Sequence, residues 1–299
     1  MNRNIMEYTT LTNNVQIPIL GLGTWQIGGR LQTSTAHDKE EIEAIKIGIQ
    51  LGIAHIDTAE LYGAGHAEEL VAQAIKLSRV PRKNLFITSK VMSQHLHHDD
   101  VLAACKKSLA RLQTDYLDLY LVHHPNLGIP ITETMHAMNE LVDQNLVRFI
   151  GVSNFSVADL QEAQKYSKHK IVANQIEYSL LAQEIGRFTR KMDSEIIPYC
   201  QQHGIKVIAW RPLAYGLLAK PGFPALDAIA KKYGKTQGQV ALNWIISKNM
   251  LVLVKATKPE HIKENIGAMG WRLSEEDIVT LELGFEKWRR KYYSELLNK

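Results

Sequence analysis

Eight short apolar segments, each followed by a stretch of helical periodicity, constrain this 299-residue chain more than any other feature. The segments span 20–25, 55–59, 85–91, 116–122, 147–152, 171–176, 205–210 and 251–255. Between the first two, Asp38 opens a helical stretch with Glu41 in capping-box position. Ile42, Ile45 and Ile49 form its apolar stripe, and Gly52 stops it. Ser156 and Asp159 repeat the cap spacing before a later helix, and 194–203 reads as another, closed by Gly204. Apolar strands alternating with amphipathic helices imply a parallel sheet covered by helices. Eight such units predict an α/β fold of the (β/α)8 TIM-barrel type rather than an open doubly wound sheet. Asn13-Asn14 between two apolar runs predicts an N-terminal β-hairpin, and Ser274 begins an extra C-terminal helix capped with Asp277. Gly21 and Gly23 mark a strand whose backbone comes close to a ligand or to another strand. No Pro/Ser linker divides the chain, so 1–299 reads as a single domain. No G-x-G-x-x-G opens a helix after a strand, which leaves a Rossmann site without support.

The charge balance excludes little but weighs against nucleic acid. A net charge of +4 and a pI near 8.8 are only mildly basic. Cys105 and Cys200 lie in helical patterns without a C-x-x-C, and are expected as buried thiols in a reducing compartment. The start MNRNIMEYTT lacks the apolar core of a signal peptide, and no apolar run approaches the roughly 20 residues that span a bilayer. A soluble, cytoplasmic protein is expected, with monomer as the default. His95, His97 and His98 do not have a zinc spacing and precede Asp99-Asp100, so they read as a solvated loop and no metal is expected. KWRRKYY at 287–293 reads as a solvated amphipathic tail, with closure over a substrate or contact with a partner as the other readings.

Chemistry concentrates at strand ends. HIDTAELY at 55–62 places Asp57 at the end of the second strand and Tyr62 on the following loop. The third strand carries Lys90 and the fourth delivers His123. Each alone reads as an ion pair, a loop anchor or a core histidine; together they suit acid–base work. A phenol with a pKa of about 10 is a poor acid at neutral pH. A neighbouring ammonium, Lys90, stabilises the phenolate and is expected to lower that value, while Asp57 keeps the lysine charged. His123 is placed to hydrogen-bond a substrate oxygen.

The motifs GLGTW at 21–25, DTAELY at 57–62, ITSK at 87–90, LYLVHHP at 119–125, GVSNF at 151–155 and NQIEYSLL at 174–181 stand in an order that resembles the aldo-keto reductase family. KPEHIKEN at 258–265 continues the match. The resemblance implies an NADPH-dependent reductase of aldehyde or ketone carbonyls, with Asp57, Tyr62, Lys90 and His123 as the catalytic set and Tyr62 as proton donor. It implies that Ser153, Asn154 and Gln175 hold the nicotinamide carboxamide, that Trp210 stacks on the ring and that Thr24 lies near its ribose. Arg211, Pro212 and Leu213 continue the cofactor wall. Lys255, Ala256, Thr257, His261, Glu264 and Asn265 match the segment that grips the adenosine end. His261 stands where an arginine often reads the 2′-phosphate, which leaves NADH use open. Trp25 and His124 are expected to line the substrate pocket, His124 in place of a larger tryptophan. Arg211 replaces a small hydroxyl residue, and its target is an anionic substrate, a cofactor phosphate or solvent. The segments 126–130 and 214–222 are short, which predicts an open pocket. The alternative function is a nucleotide-sensing regulatory subunit on the same barrel; an intact tetrad argues against it.

Overall fold

A computed structural model describes residues 6–12 and 15–297. It opens with two antiparallel strands, β1 (Tyr8–Thr12) and β2 (Val15–Pro18). They form the expected hairpin, although the Asn13-Asn14 turn lies outside the described residues. Leu11 and Ile17 are buried beneath it, and the chain passes directly into the barrel.

The barrel strands are β3 (Leu20–Gly23), β4 (His55–Asp57), β5 (Phe86–Val91), β6 (Leu117–Val122), β7 (Val147–Ser153), β8 (Ile171–Glu177), β9 (Lys206–Trp210) and β10 (Leu251–Val254). All pair in parallel, and β10 closes the ring by pairing with both β9 and β3. Strands β4, β5, β6, β8 and β10 are buried at every residue, as strands covered on both faces must be. At Gly21 an added Cβ would stand 2.6 Å from Leu253 Cδ2 and 2.7 Å from His55 Nδ1. Neighbouring strands' side chains therefore fill the space beside it, one of the two reasons anticipated for its glycines.

The outer layer comprises α1 (Asp38–Gln50), α2 (His66–Ser78), α3 (His98–Leu112), α4 (Ile131–Asp143), α5 (Val157–Lys165), α6 (Ile197–Gln202), α7 (Pro224–Tyr233), α8 (Gln237–Ser247) and α9 (Pro259–Ile266), and α10 (Glu275–Leu297) follows. Ser156 caps α5 in a full capping box with Asp159, and Ser274 caps α10 by accepting from Asp277 N. The Glu41 cap is a correction. Asp38 is already inside α1, and Glu41 accepts from Gly28 N at 2.7 Å instead, pinning the loop after β3. The helix read over 194–203 starts with a π-helical turn, Met192–Ile196, because Pro198 near the start of α6 has no N–H to continue a ladder. Cys105 and Cys200 are buried and free. The 287–293 segment is not a solvated tail. Trp288 packs on Phe223 with ring centroids 5.1 Å apart, and Tyr293 Oη accepts from Gln183 N and Ile185 N. No helix among the described residues is long and apolar enough to cross a membrane.

Candidate active site

Parallel strands put their C-terminal ends on one rim, and the side chains there are held by hydrogen bonds to one another. Lys90, fully buried on β5, donates to Asp57 Oδ1 at 2.5 Å, to the Thr58 carbonyl at 2.9 Å and to Tyr62 Oη at 3.1 Å. These three contacts match the three N–H donors of an ammonium. Asp57 Oδ2 accepts from Gln175 Nε2 at 2.8 Å, so both carboxylate oxygens are occupied. Burial raises the Asp57 pKa, against Lys90 and Gln175. Burial draws the Lys90 pKa down, but Asp57 and Tyr62 outweigh it and hold the ammonium above its ordinary value. For Tyr62, burial dominates and raises the phenol above 10, with Lys90 opposing. This corrects the sequence expectation of a lowered value. The ammonium acts in the expected sense, but desolvation of a phenolate in a buried site is the larger effect.

Around the phenol stands an aromatic wall. Trp25 and His123 meet Tyr62 edge to face at centroid distances of 5.1 and 5.6 Å. Burial and the Lys90 charge hold His123 well below 6.5, so its ring is neutral. Its Nδ1 is buried without a partner. A bare lone pair is tolerated there better than a bare N–H, which places the proton on Nε2. His124 stacks on His123 at 5.0 Å, and burial pulls its pKa to about 4. Phe188 then packs edge-on against His124 at 4.4 Å. Phe188 and Arg187 line the cavity from the loop after β8, a loop that carried no signal of its own in the sequence. The pocket is therefore more walled than the short 126–130 and 214–222 segments implied, and 214–219 itself coils into a helical turn that brings Tyr215 to the wall.

On the opposite side, Ser153 ends β7 and its hydroxyl donates to the Gln175 carbonyl at 2.8 Å. Asn154 follows in left-handed backbone, φ 63°, which an asparagine accepts readily. Its Nδ2 donates to the His123 carbonyl at 3.1 Å, and its Oδ1 accepts from Trp210 Nε1 at 3.2 Å. Arg211 is also left-handed, φ 55°. Its guanidinium lies between the Trp210 and Tyr215 rings, 4.7 and 4.3 Å from their centroids, with Glu177 Oε1 at 3.5 Å. Pro212 and Leu213 continue this wall.

The far end is built differently. Lys255, His261, Glu264 and Asn265 line the same cavity, and Lys255 and His261 are exposed. Ala256 is buried, Thr257 is half-buried and neither reaches the wall. Thr24 also stays off it; its backbone N–H and hydroxyl both donate to the Asp57 carbonyl at 3.0 Å. The whole cavity holds about 1330 Å³. That exceeds the several hundred Å³ of a pocket for one small ligand. Among the described residues no three His, Cys, Asp or Glu side chains are arranged to hold a metal. His95, His97 and His98 turn to separate carboxylates, Glu60, Glu133 and Asp99.

A closed barrel with its reactive groups on the C-terminal rim has the architecture of a barrel enzyme. Residues 19–283 match the sequence model of the Aldo/keto reductase family, and the chain belongs to that family. It is 36% identical to the glyoxal reductase of Bacillus subtilis over 94% of each chain. A crystal structure of a thermostable aldo-keto reductase with the inhibitor epalrestat matches with a TM-score of 0.87 and 42% identity, covering 93% of this chain and all of that one. An aldo-keto reductase from Klebsiella pneumoniae in complex with NADPH matches with a TM-score of 0.82 and 34% identity, over 93% of this chain and 95% of that one.

Proposed function

We propose that the protein reduces aldehyde or ketone carbonyls to alcohols with NADPH. The observation that carries this reading is the buried Lys90 ammonium, hydrogen-bonded to both Asp57 and the Tyr62 hydroxyl at one end of a single long cavity. The residues present suit the cofactor. Gln175 spends its Nε2 on Asp57, and its Oε1 makes no hydrogen bond among the described residues, which leaves an acceptor for an amide. Ser153 and Asn154 supply further polar groups beside it, and the Trp210 ring offers a flat face. Lys255 places an ammonium at the far end, and the exposed His261 imidazole adds a hydrogen-bonding group to the same end, as a 2′-phosphate requires. When bound, the reduced nicotinamide supplies the hydride that reaches the carbonyl carbon.

The chain's own residues supply the rest. His123 Nε2–H orients the carbonyl oxygen toward Tyr62. The phenol, held protonated by its raised pKa, gives its proton to that oxygen as charge develops there. Lys90 stabilises the phenolate left behind, and Asp57 and Gln175 keep the ammonium fixed. Solvent then returns a proton to Tyr62. The substrate relative named above and the NADPH-bound structure support the same reading. The test is NADPH oxidation against a panel of aldehydes and ketones, with Tyr62→Phe beside the wild type. Turnover that collapses in the variant while NADPH still binds is expected. Undiminished turnover in the variant, or no binding of NADPH, would sink the proposal.

A further inference from the structure

The two ends of the cavity differ in charge, and at the phenol end the imbalance has no function in the reaction described so far. Among the described residues, the carboxylates on the cavity wall are Asp57 and Glu264. Asp57 is committed to Lys90, and Glu264 stands on α9 at the far end. Three arginines line the cavity: Arg211 is engaged by Glu177 and by the Trp210 and Tyr215 rings, whereas Arg30 and Arg187 are exposed.

Both arginines sit on loops that the fold holds still. The Arg30 carbonyl accepts from Gly63 N at 2.8 Å, which sets it beside the residue after Tyr62. Thr33 donates to the Gly63 carbonyl at 2.9 Å. Any Cβ at Gly63, φ 57°, would meet the Gly28 carbonyl oxygen at 2.3 Å, so this contact needs glycine. With its amide oriented to suit the hydrogen bonds, Gln26 accepts from Arg30 Nε and Nη2 at 3.1 Å each, which steadies the guanidinium. On the loop after β8, Arg187 N donates to the buried Glu177 carboxylate at 2.5 Å, and Tyr293 of α10 fastens the same loop at Gln183 and Ile185. The Arg187 guanidinium stands 5.7 Å from the Phe188 ring centroid, and that ring leans on His124. Neither guanidinium forms an ion pair with a carboxylate among the described residues.

We propose that Arg30 and Arg187 form an anion subsite at the mouth, and that the preferred substrate is a carbonyl compound carrying a carboxylate or phosphate a few atoms from its carbonyl carbon. Guanidinium forks match both oxyanions. The apolar walls of Trp25 and Phe188 strengthen the attraction by keeping water away from one side of the ligand. The anionic group is untouched by the reaction; only the carbonyl carbon gains a hydride and its oxygen a proton. This inference rests on the reductase reading above.

The experiment compares kcat/KM for matched pairs with the NADPH-loaded protein: 4-oxobutanoate against butanal, and glyceraldehyde 3-phosphate against glyceraldehyde. The anionic member of at least one pair is expected to lead by about tenfold or more, the worth of one hydrogen bond to a charged group. The pair that leads identifies carboxylate or phosphate as the group recognised. The lead should shrink as salt rises from 0.05 to 0.5 M, an illustrative span of roughly a threefold change in Debye length. It should also shrink about tenfold in Arg187→Gln and in Arg30→Gln, read as the ratio within each pair. If either variant fails to fold, the salt series on the wild type still decides. Neutral aldehydes turned over as well as their anionic partners, or a lead indifferent to salt and to both substitutions, would overturn the subsite while leaving the reductase intact. No turnover of any member would instead overturn the reductase reading itself.

Discussion

The phenol end and the adenosine end of one cavity are built on opposite plans. At the phenol end Lys90 and Asp57 are almost fully buried, and every hydrogen-bonding position of the ammonium is filled by protein. At the other end Lys255 and His261 stand exposed on the loop and helix that follow β10. The first arrangement is preorganised, so little reorganisation is needed when charge develops on a substrate oxygen. The second leaves its polar side chains open to solvent until a ligand covers them, which suits a cofactor that must come and go.

Substitutions can break this contrast. Tyr62→Phe should have the largest effect, a loss of about 10²–10⁴-fold in kcat through removal of the proton donor, with NADPH affinity retained. Stopped-flow turnover beside a fluorescence titration would show it, and a parallel loss of binding would contradict it. Lys90→Met should come next. It leaves Asp57 buried without its cation and should cost about 3–5 kcal/mol in urea unfolding, the usual result of removing one partner of a buried pair. A value within about 1 kcal/mol of wild type would mean that the phenol end is not locked as described.

The open end should respond in affinity rather than in stability. His261→Arg should tighten NADPH by about tenfold without altering NADH, because a guanidinium fork grips a 2′-phosphate with paired hydrogen bonds where an imidazole offers a single contact. Equal gains for both cofactors would place His261 elsewhere. The pH profile sharpens the contrast further. His123 is neutral because its pKa lies well below 6.5, and Tyr62 stays protonated because its own lies above 10. The kcat/KM profile should therefore show no step near pH 6.5 that disappears in His123→Asn.

The smallest effect is expected outside the site. His66 bridges Asp38 and Glu69 at 3.0 and 2.8 Å. Burial works to lower its pKa, but these two partners outweigh it and the net shift is upward. A raised folded-state pKa means that its stabilisation is complete below pH 6.5 and fades as pH rises through the shifted value. His66→Gln should cost no more than about 1 kcal/mol at pH 6, and less at pH 9. A larger loss at pH 9 would reverse the sign.

Periodicity alone determined the barrel, since apolar runs at even spacing admit few other ways to bury eight strands. It also placed Asp57, Lys90 and His123, because a residue at a strand end is carried to the rim by the strand itself. The capping box at Ser156 and the N-cap at Ser274 were legible for the same local reason, each motif being closed within four residues. Glu41 had identical spacing and went instead to Gly28, a partner brought in by tertiary packing. What the sequence could not contain was the work of distant contacts and of dielectric. The loop that carries Arg187 and Phe188 is held by Glu177 and by Tyr293, over a hundred residues away along the chain in the second case. The direction of the Tyr62 pKa shift was likewise decided by burial, which a list of neighbouring charges does not reveal. Local pattern fixes which groups reach the rim; only the packed structure settles how much water remains around them.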